Sequence, residues 1–484
     1  MDKNIKIVYF LIALLIIITF VTQYYGSTDI HEYIASAKYF AGKYPSDIRA
    51  SHSMLYGFIN APFIYLFSSL IGLKIASLIS LILIIISVYY ISRKNKKALL
   101  LISISPIIWY MGPWINSIQL ASLLFLWGFF FINKFDKTNK YQYILYSGVL
   151  LGLSASIWNS VIYFVFFLII CFFYNKKVNH LFLFLLAVLI GFLPLFIFEQ
   201  KLYGFFLYSM VKTFLSNVIV SVYGSIYQGV VYLNHSFFDY FSFLIMIPFF
   251  SFVLFTKENF AKYKRTLIFL TLSLIFMIIN PQIRYLLIIY PIIILILSET
   301  INEKQFKKQI AVFLIITILV ITPYLVQIKY STNSPEFNSF LNNINKWKIY
   351  SYNADDLITK DLENITREYP NTTFLVGNTA DYYAVLASDY WGNNVKEIVS
   401  IQDYEMFFRN ESIFFSKRLE SKPVIPERRI IWIEGGISKN PNDNTDYESI
   451  NLGIGVNEPL KEPGFTFVKK YNILYLSKNN KTIN

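Results

Sequence analysis

Cysteine, histidine and charge are all scarce in this 484-residue sequence, which holds one Cys, four His and only 15% charged residues. The lone Cys171 lies inside an apolar block, so a disulfide scaffold is excluded. So little charge, against 55% hydrophobic residues with 46 Phe and 37 Tyr, excludes disorder, collagen-like structure and ordinary soluble enzymes. No glycine-rich phosphate fingerprint follows any strand-like run, and Val376-Gly377-Asn378 is too little to cradle a nucleotide. No internal repeat is visible.

What is present is a series of apolar blocks, roughly 15 to 25 residues long, recurring to about residue 328 with charge clusters between them. That is the length scale of bilayer-spanning helices. Of the 43 Lys and Arg, 26 lie before residue 331, together with 10 of the 30 Asp and Glu. The overall charge of +13 therefore belongs to the apolar part. Such a basic balance could signal nucleic acid, but these cations sit in short loops between apolar segments. Membrane topology explains them, and no nucleic-acid partner is expected.

Placing basic clusters on the cytoplasmic side orients the chain. The first span, about 5–24, has no small-residue cleavage site and reads as a retained anchor. Its N-terminus is then inside and the loop Ser27–Ser53 outside. Counting Met54–Gly72 as a second span would put Arg93, Lys94, Lys96 and Lys97 outside. It is therefore read as an outer-surface or re-entrant helix, with Lys74–Ser92 as the second span. The remaining spans fall at about 98–113, 119–134, 141–157, 160–175, 180–199, 240–256, 266–280, 285–300 and 309–328. The expected fold is an α-helical multi-span membrane protein of about eleven helices over residues 1–330. Within 141–175, Trp158-Asn159 marks either a tight turn or a kink in one long helix. Residues 331–484 turn polar and mixed, with β-rich runs at Thr373–Val376, Ile398–Ile401, Arg429–Ile433, Phe465–Lys469 and Ile473–Leu476. A helix at Asp381–Tyr390 between the first two suggests a C-terminal extracytoplasmic α/β domain.

Acidic residues are few before residue 331, so their clustering in one outer loop, 25–73, is informative. On a helix beginning there, Asp29, Glu32, Tyr33 and Ser36 share one face. A carboxylate at the membrane surface could take a proton from an acceptor hydroxyl. Asp29 is equally a good N-cap, with Glu32 in capping-box spacing. His31 and His52, beside an acid, could hold a divalent metal. A second feature is Asn280-Pro281-Gln282-Ile283-Arg284-Tyr285, which sets one arginine at the outer end of an apolar helix. Arg284 could grip a lipid phosphate through a two-pronged guanidinium or simply anchor at the interface. Lys201 and Lys212 are lesser candidates for the same phosphate.

DIHEYIASAKYFAGKYP followed by HSMLYGFINAP resembles the first outer loop of GT-C membrane glycosyltransferases, the superfamily of lipid-sugar-dependent mannosyltransferases and aminoarabinose transferases. SPIIWYMGPWINSIQL resembles the next outer turn of that family, and PQIRYLLIIYP its late arginine segment. The resemblance runs in order through about residues 1–330, and the tail is similar to the external domains often appended. It implies that Asp29 is the catalytic acid of loop one, that Arg284 lies near the donor phosphate, and that His52 holds the histidine-proline position. His31, Glu32 and Tyr285 become substrate-binding candidates. Departures exist: Ser53 stands where proline is common, Gln119 where a second acid is frequent, and Asn159 where many relatives have lysine. The Trp-Trp-Asp-Tyr-Gly signature of oligosaccharyltransferases is absent, and Asp389-Tyr390-Trp391-Gly392 has the wrong order.

An outward-facing transferase has no nucleotide sugar at hand, so its sugar must arrive on a lipid. The implied partners are a polyprenyl- or dolichyl-phosphate sugar, an extracytoplasmic glycan, lipid or protein acceptor, and membrane lipids. The implied reaction is a single displacement with inversion at the anomeric carbon. A lipid-linked glycan polymerase or ligase, and a transporter, are the rival readings. The charges lie at span ends rather than near mid-membrane, where transporters place theirs.

Overall fold

The computed structural model describes residues 3–22, 30–42, 54–67, 69–174, 176–210 and 237–326, together with five strands beyond residue 372; some side chains in these stretches, His31 and Glu32 among them, lie outside the description. The helices are α1 (Lys3–Val21), α2 (Ile30–Phe40), α3 (Met54–Leu66), α4 (Ser69–Ile91), α5 (Lys96–Ile104) and α6 (Pro106–Met111). They continue as α7 (Ser117–Thr138), α8 (Tyr141–Ile157), α9 (Val161–Phe173) and α10 (Val178–Tyr203). The last stretch holds helices Phe237–Met246, Lys257–Ile279, Tyr290–Thr300 and Glu303–Val326, with 3-10 helices Phe249–Phe255 and Ile283–Ile288 between them.

Among the described residues, five helices are long and apolar enough to cross a membrane: Asn4–Val21, Ile71–Ile91, Ser117–Thr138, Val178–Leu202 and Glu303–Thr322. The chain is a multi-pass membrane protein. Its helix boundaries depart from the expected spans in a regular way. The stretch 98–113 is two helices, because Ser105 is extended (ψ 134°) ahead of Pro106. The stretch 240–256 breaks at Ile247-Pro248 into an α-helix and a 3-10 helix. The stretch 285–300 is a 3-10 helix followed by an α-helix with Pro291 in its first turn. At Pro106 and Pro248 the ring lacks the N–H that would continue the helix and crowds the preceding residue out of helical geometry, whereas Pro291 sits in the first turn of its helix, where its missing N–H has no helical partner to lose. α4 begins at Ser69 rather than at Lys74, and α3 is 13 residues long. At about 1.5 Å per residue, α3 is shorter than a ~30 Å hydrocarbon core. Trp158 is extended and ends α8, so 141–175 is two helices joined by a turn.

Helix packing rests on small residues and serines. Gly148, Gly152 and Gly191 let α8 and α10 approach backbone to backbone: a Cβ at Gly152 would stand 2.2 Å from the carbonyl oxygen of Val188. Ser147 and Ser154 donate to the carbonyls of Gly128 and Ala121 on α7 at 2.8 and 2.7 Å. Ser156 reaches the Gly191 carbonyl at 3.2 Å. In lipid, where apolar burial does not drive helices together, close backbones and interhelical hydrogen bonds do.

One end of the bundle is tied by charge. Asp136 accepts from Arg265 and pairs with Lys176 at 3.1 Å, while Lys97 meets Glu303 at 2.6 Å. Glu299 accepts from the Tyr263 hydroxyl at 2.5 Å. The candidate site lies at the opposite end.

Beyond residue 372, strands β1 (Thr373–Val376), β2 (Val395–Glu397), β3 (Ile430–Glu434), β4 (Phe465–Lys470) and β5 (Ile473–Lys478) form one sheet in the order β2-β1-β3-β5-β4. β1 is parallel to β2 and β3, whereas β5 is antiparallel to β3 and β4. β2 was expected at Ile398–Ile401 and lies earlier, because its limits follow pairing with β1, from Phe374↔Val395 to Val376↔Glu397, rather than the apolar run. The helix expected at Asp381–Tyr390 lies outside the described residues.

Candidate functional site

α2, α3 and α4 pack on one another and on the start of α7 through hydroxyl groups. Tyr33 of α2 is buried, and its hydroxyl accepts a hydrogen bond from Ser117 Oγ at 3.0 Å. Its ring meets Tyr56 of α3 edge-on at 5.0 Å, and the Tyr56 hydroxyl lies 3.2 Å from Ser77 Oγ of α4. The approach of α2 to α3 requires a glycine, since a Cβ at Gly57 would fall 2.2 Å from Ser36 Oγ. Tyr33 and Ser36 thus direct one face of α2 onto α3 and the start of α7. That face is the one predicted for the loop acid four residues before Tyr33.

The α6–α7 turn is held by amides. Asn116 caps α7, its Oδ1 accepting from the Ile118 N–H at 2.9 Å. Gln119 Nε2 donates to two backbone carbonyls of the turn, Met111 and Trp114, each at 2.9 Å. Trp114 Nε1 donates to the Tyr324 hydroxyl at 3.0 Å, which donates onward to the Tyr110 carbonyl at 2.9 Å. The other amide atoms, Asn116 Nδ2 and Gln119 Oε1, are buried without a hydrogen-bond partner, as is Ser122 Oγ. An unsatisfied buried donor or acceptor costs about 1–3 kcal/mol, so such a set calls for a physical reason.

On the other flank of this turn, the 3-10 helix Ile283–Ile288 packs against α6 and α7. Arg284 is half-buried; its Nε donates to Gln282 Oε1 at 2.7 Å and its guanidinium carbon lies 5.4 Å from the Tyr285 ring centre. Tyr285 also meets Trp158 at 5.1 Å. The Arg284 charge is within electrostatic reach of the buried Tyr110 phenol. A half-buried cation supported on an aromatic ring is a suitable seat for an anionic oxygen.

Asp29 and His52 lie outside the described residues, as does Lys212, while His31 and Glu32 are on α2 with side chains outside the description. Lys201 is exposed in the last turn of α10. α2, which follows Asp29 in the chain, and the Arg284 turn both reach the α6–α7 turn. Among the described residues, no three His, Cys, Asp or Glu side chains form a metal-holding group.

Two charged residues at this end were not singled out as site-forming. Lys74 is buried, and its ammonium donates to the carbonyls of Thr19 and Thr22 at 2.9 and 2.6 Å. A cation there complements the C-terminal end of α1, whose last carbonyls lack helical partners. Glu199, fully buried near the end of α10, accepts from the Ser209 hydroxyl, and from the Ser209 N–H at 3.2 Å. Its neighbour Phe198 packs on Phe40 and Phe58, joining α10 to α2 and α3. A charge inside or beside an apolar run was the available signal for both.

No protein-family model and no curated protein matches the sequence. Solved structures do match the fold. The chain is similar to the crystal structure of ArnT from Cupriavidus metallidurans bound to undecaprenyl phosphate, with a TM-score of 0.62 at 10% identity over 98% of each chain. The apo ArnT structure from the same organism gives 0.61 at 10% identity, over 99% of this chain and 98% of that one. This chain shares the fold of ArnT over nearly its whole length.

Proposed function

We propose that this protein is an integral-membrane glycosyltransferase that moves a sugar from a polyprenyl- or dolichyl-phosphate carrier to an extracytoplasmic acceptor. Asp29 takes the proton of the acceptor hydroxyl as its oxygen attacks the anomeric carbon. The bond from that carbon to the phosphate oxygen breaks, and the lipid phosphate leaves with the electron pair. Arg284 offsets the charge that develops on it, with Lys201 as a lesser aid. Attack opposite the leaving phosphate inverts the anomeric carbon. Tyr285 orients Arg284, while His31, Glu32 and His52 line the acceptor side. The N-terminus is cytoplasmic, the site and the tail are external, and residues 331–484 form an α/β domain that guides the acceptor.

One observation carries this reading: α2 and the Arg284 turn, far apart in sequence, reach the same α6–α7 turn, α2 through the bond between Ser117 and the Tyr33 hydroxyl and the Arg284 helix by packing on α6 and α7. 

A base on one flank and a phosphate site on the other is the arrangement that displacement requires. The likeness to ArnT bound to undecaprenyl phosphate supports the same carrier class. The test is mass spectrometry of lipids from cells lacking the gene. A polyprenyl-phosphate sugar should accumulate and should disappear on complementation with the intact gene. No change in lipid-linked sugars on deletion would remove the reading.

A further inference from the structure

The unpartnered amide atoms at the start of α7 have a definite chemistry. Asn116 has its Oδ1 committed to the Ile118 N–H, so the atom left over is a donor, Nδ2. Gln119 has its Nε2 committed to two carbonyls, so the atom left over is an acceptor, Oε1. These commitments fix each amide's orientation and leave one donor and one acceptor, three residues apart. Both side chains are almost wholly buried, at 1% and 0% exposure, so bulk water does not satisfy them. The turn from Gly112 to Gln119 carries no charged residue.

We propose that Asn116 and Gln119 form a subsite for an uncharged, hydroxyl-bearing sugar on the lipid phosphate. This rests on the transferase reading above and specifies its substrate class. A sugar hydroxyl both donates and accepts, which matches one N–H beside one C=O. A carboxylate on the sugar would want donors alone, and an ammonium would want acceptors, best a carboxylate. Position gives the second argument. In a displacement the sugar lies between the base and the phosphate it leaves, and the α6–α7 turn lies between Ser117, which meets Tyr33, and α6, against which the Arg284 helix packs.

Asn116 allows a clean test, because Asn, Asp and Ser cap helices about equally well. Asn116→Ser and Asn116→Asp keep an oxygen for the Ile118 N–H and delete the Nδ2 donor. Full-length protein in nanodiscs is titrated with three probes: polyprenyl phosphate, polyprenyl-phosphate mannose and polyprenyl-phosphate aminoarabinose. Thermal unfolding confirms that the variants fold. The intact protein should bind the mannose lipid more tightly than either other probe. Asn116→Ser should lose roughly tenfold of that affinity, the scale of one hydrogen bond, with binding of the bare phosphate unchanged. Asn116→Asp should lose as much and gain toward the aminosugar. Unchanged mannose-lipid binding by both variants, or a preference of the intact protein for the aminosugar, would overturn the subsite and leave the transferase reading standing. Failure of the intact protein to bind any of the three lipids would overturn the carrier reading, and the subsite with it.

Discussion

The two ends of the helical bundle differ in the polar groups they gather. At the basic end, Asp136, Lys176, Arg265, Lys97, Glu303 and Glu299 all have ionic partners, and most of these side chains remain partly in contact with solvent. At the other end, Asn116, Gln119, Ser122 and Glu199 each bury an atom with no hydrogen-bond partner among the described residues. Paired surface charges are worth about 0–1 kcal/mol each and can drift through mutation with little effect. Unpaired buried atoms are a standing cost of about 1–3 kcal/mol each. The basic end buries unpartnered atoms too, at His180 Nδ1, Ser251 Oγ and Gln309 Nε2, so what distinguishes the other end is a leftover donor and a leftover acceptor three residues apart on one turn.

The largest effect is expected where that second end meets the chemistry. Asp29→Asn preserves an N-cap but cannot take a proton, so transfer should fall by about 10²–10⁴ at matched membrane levels. Near-normal transfer would leave capping as the whole role of the residue. Arg284→Lys keeps the charge and loses the planar fork, and it should lower transfer while leaving the protein folded. An interface anchor alone would tolerate that change.

A smaller effect, on stability rather than chemistry, is expected midway between the ends. Gly152→Leu forces a side chain where a Cβ already stands 2.2 Å from the Val188 carbonyl oxygen. Overpacking of this kind typically costs about 1–3 kcal/mol, read as a lower unfolding temperature in detergent. An unchanged midpoint would mean that α8 and α10 do not pack this closely.

The smallest effect is expected at the basic end. Asp136→Asn removes the acceptor shared by Arg265 and Lys176. The pairs are partly exposed, so the loss should be about 1 kcal/mol or less, with transfer activity intact. A large loss of activity from this substitution would erase the contrast between the two ends.

Much of the fold was legible because bilayer insertion is governed by local hydropathy. Ile71–Ile91 and Val178–Leu202 are apolar over the length a membrane needs, whatever packs beside them. The breaks were harder to see. Pro106, Pro248 and Pro291 interrupt runs whose mean hydropathy stays high across the proline, so an averaged pattern reads each as one span. The site was legible in part. Arg284 stands out as a single cation beside an apolar run, whereas Asn116 resembles any polar residue in a turn until its capping bond and its free atom are both known.

The amino-acid sequence alone determined that the chain enters a membrane repeatedly, where its charges cluster, and which residues are candidates for the chemistry. These follow from transfer energies and from spacing along a single helix. Only the tertiary structure decided that Lys74 holds the end of α1 through Thr19 and Thr22, that Ser117 meets Tyr33, and that Gly152 lies against Val188. Only it decided that the Arg284 turn and α2 share the α6–α7 turn. These pairings join residues far apart in the chain, and in an apolar bundle nearly every helix face suits lipid or protein alike. The choice among faces is made by close backbone approach and by which polar atoms find partners, and neither property belongs to any one segment.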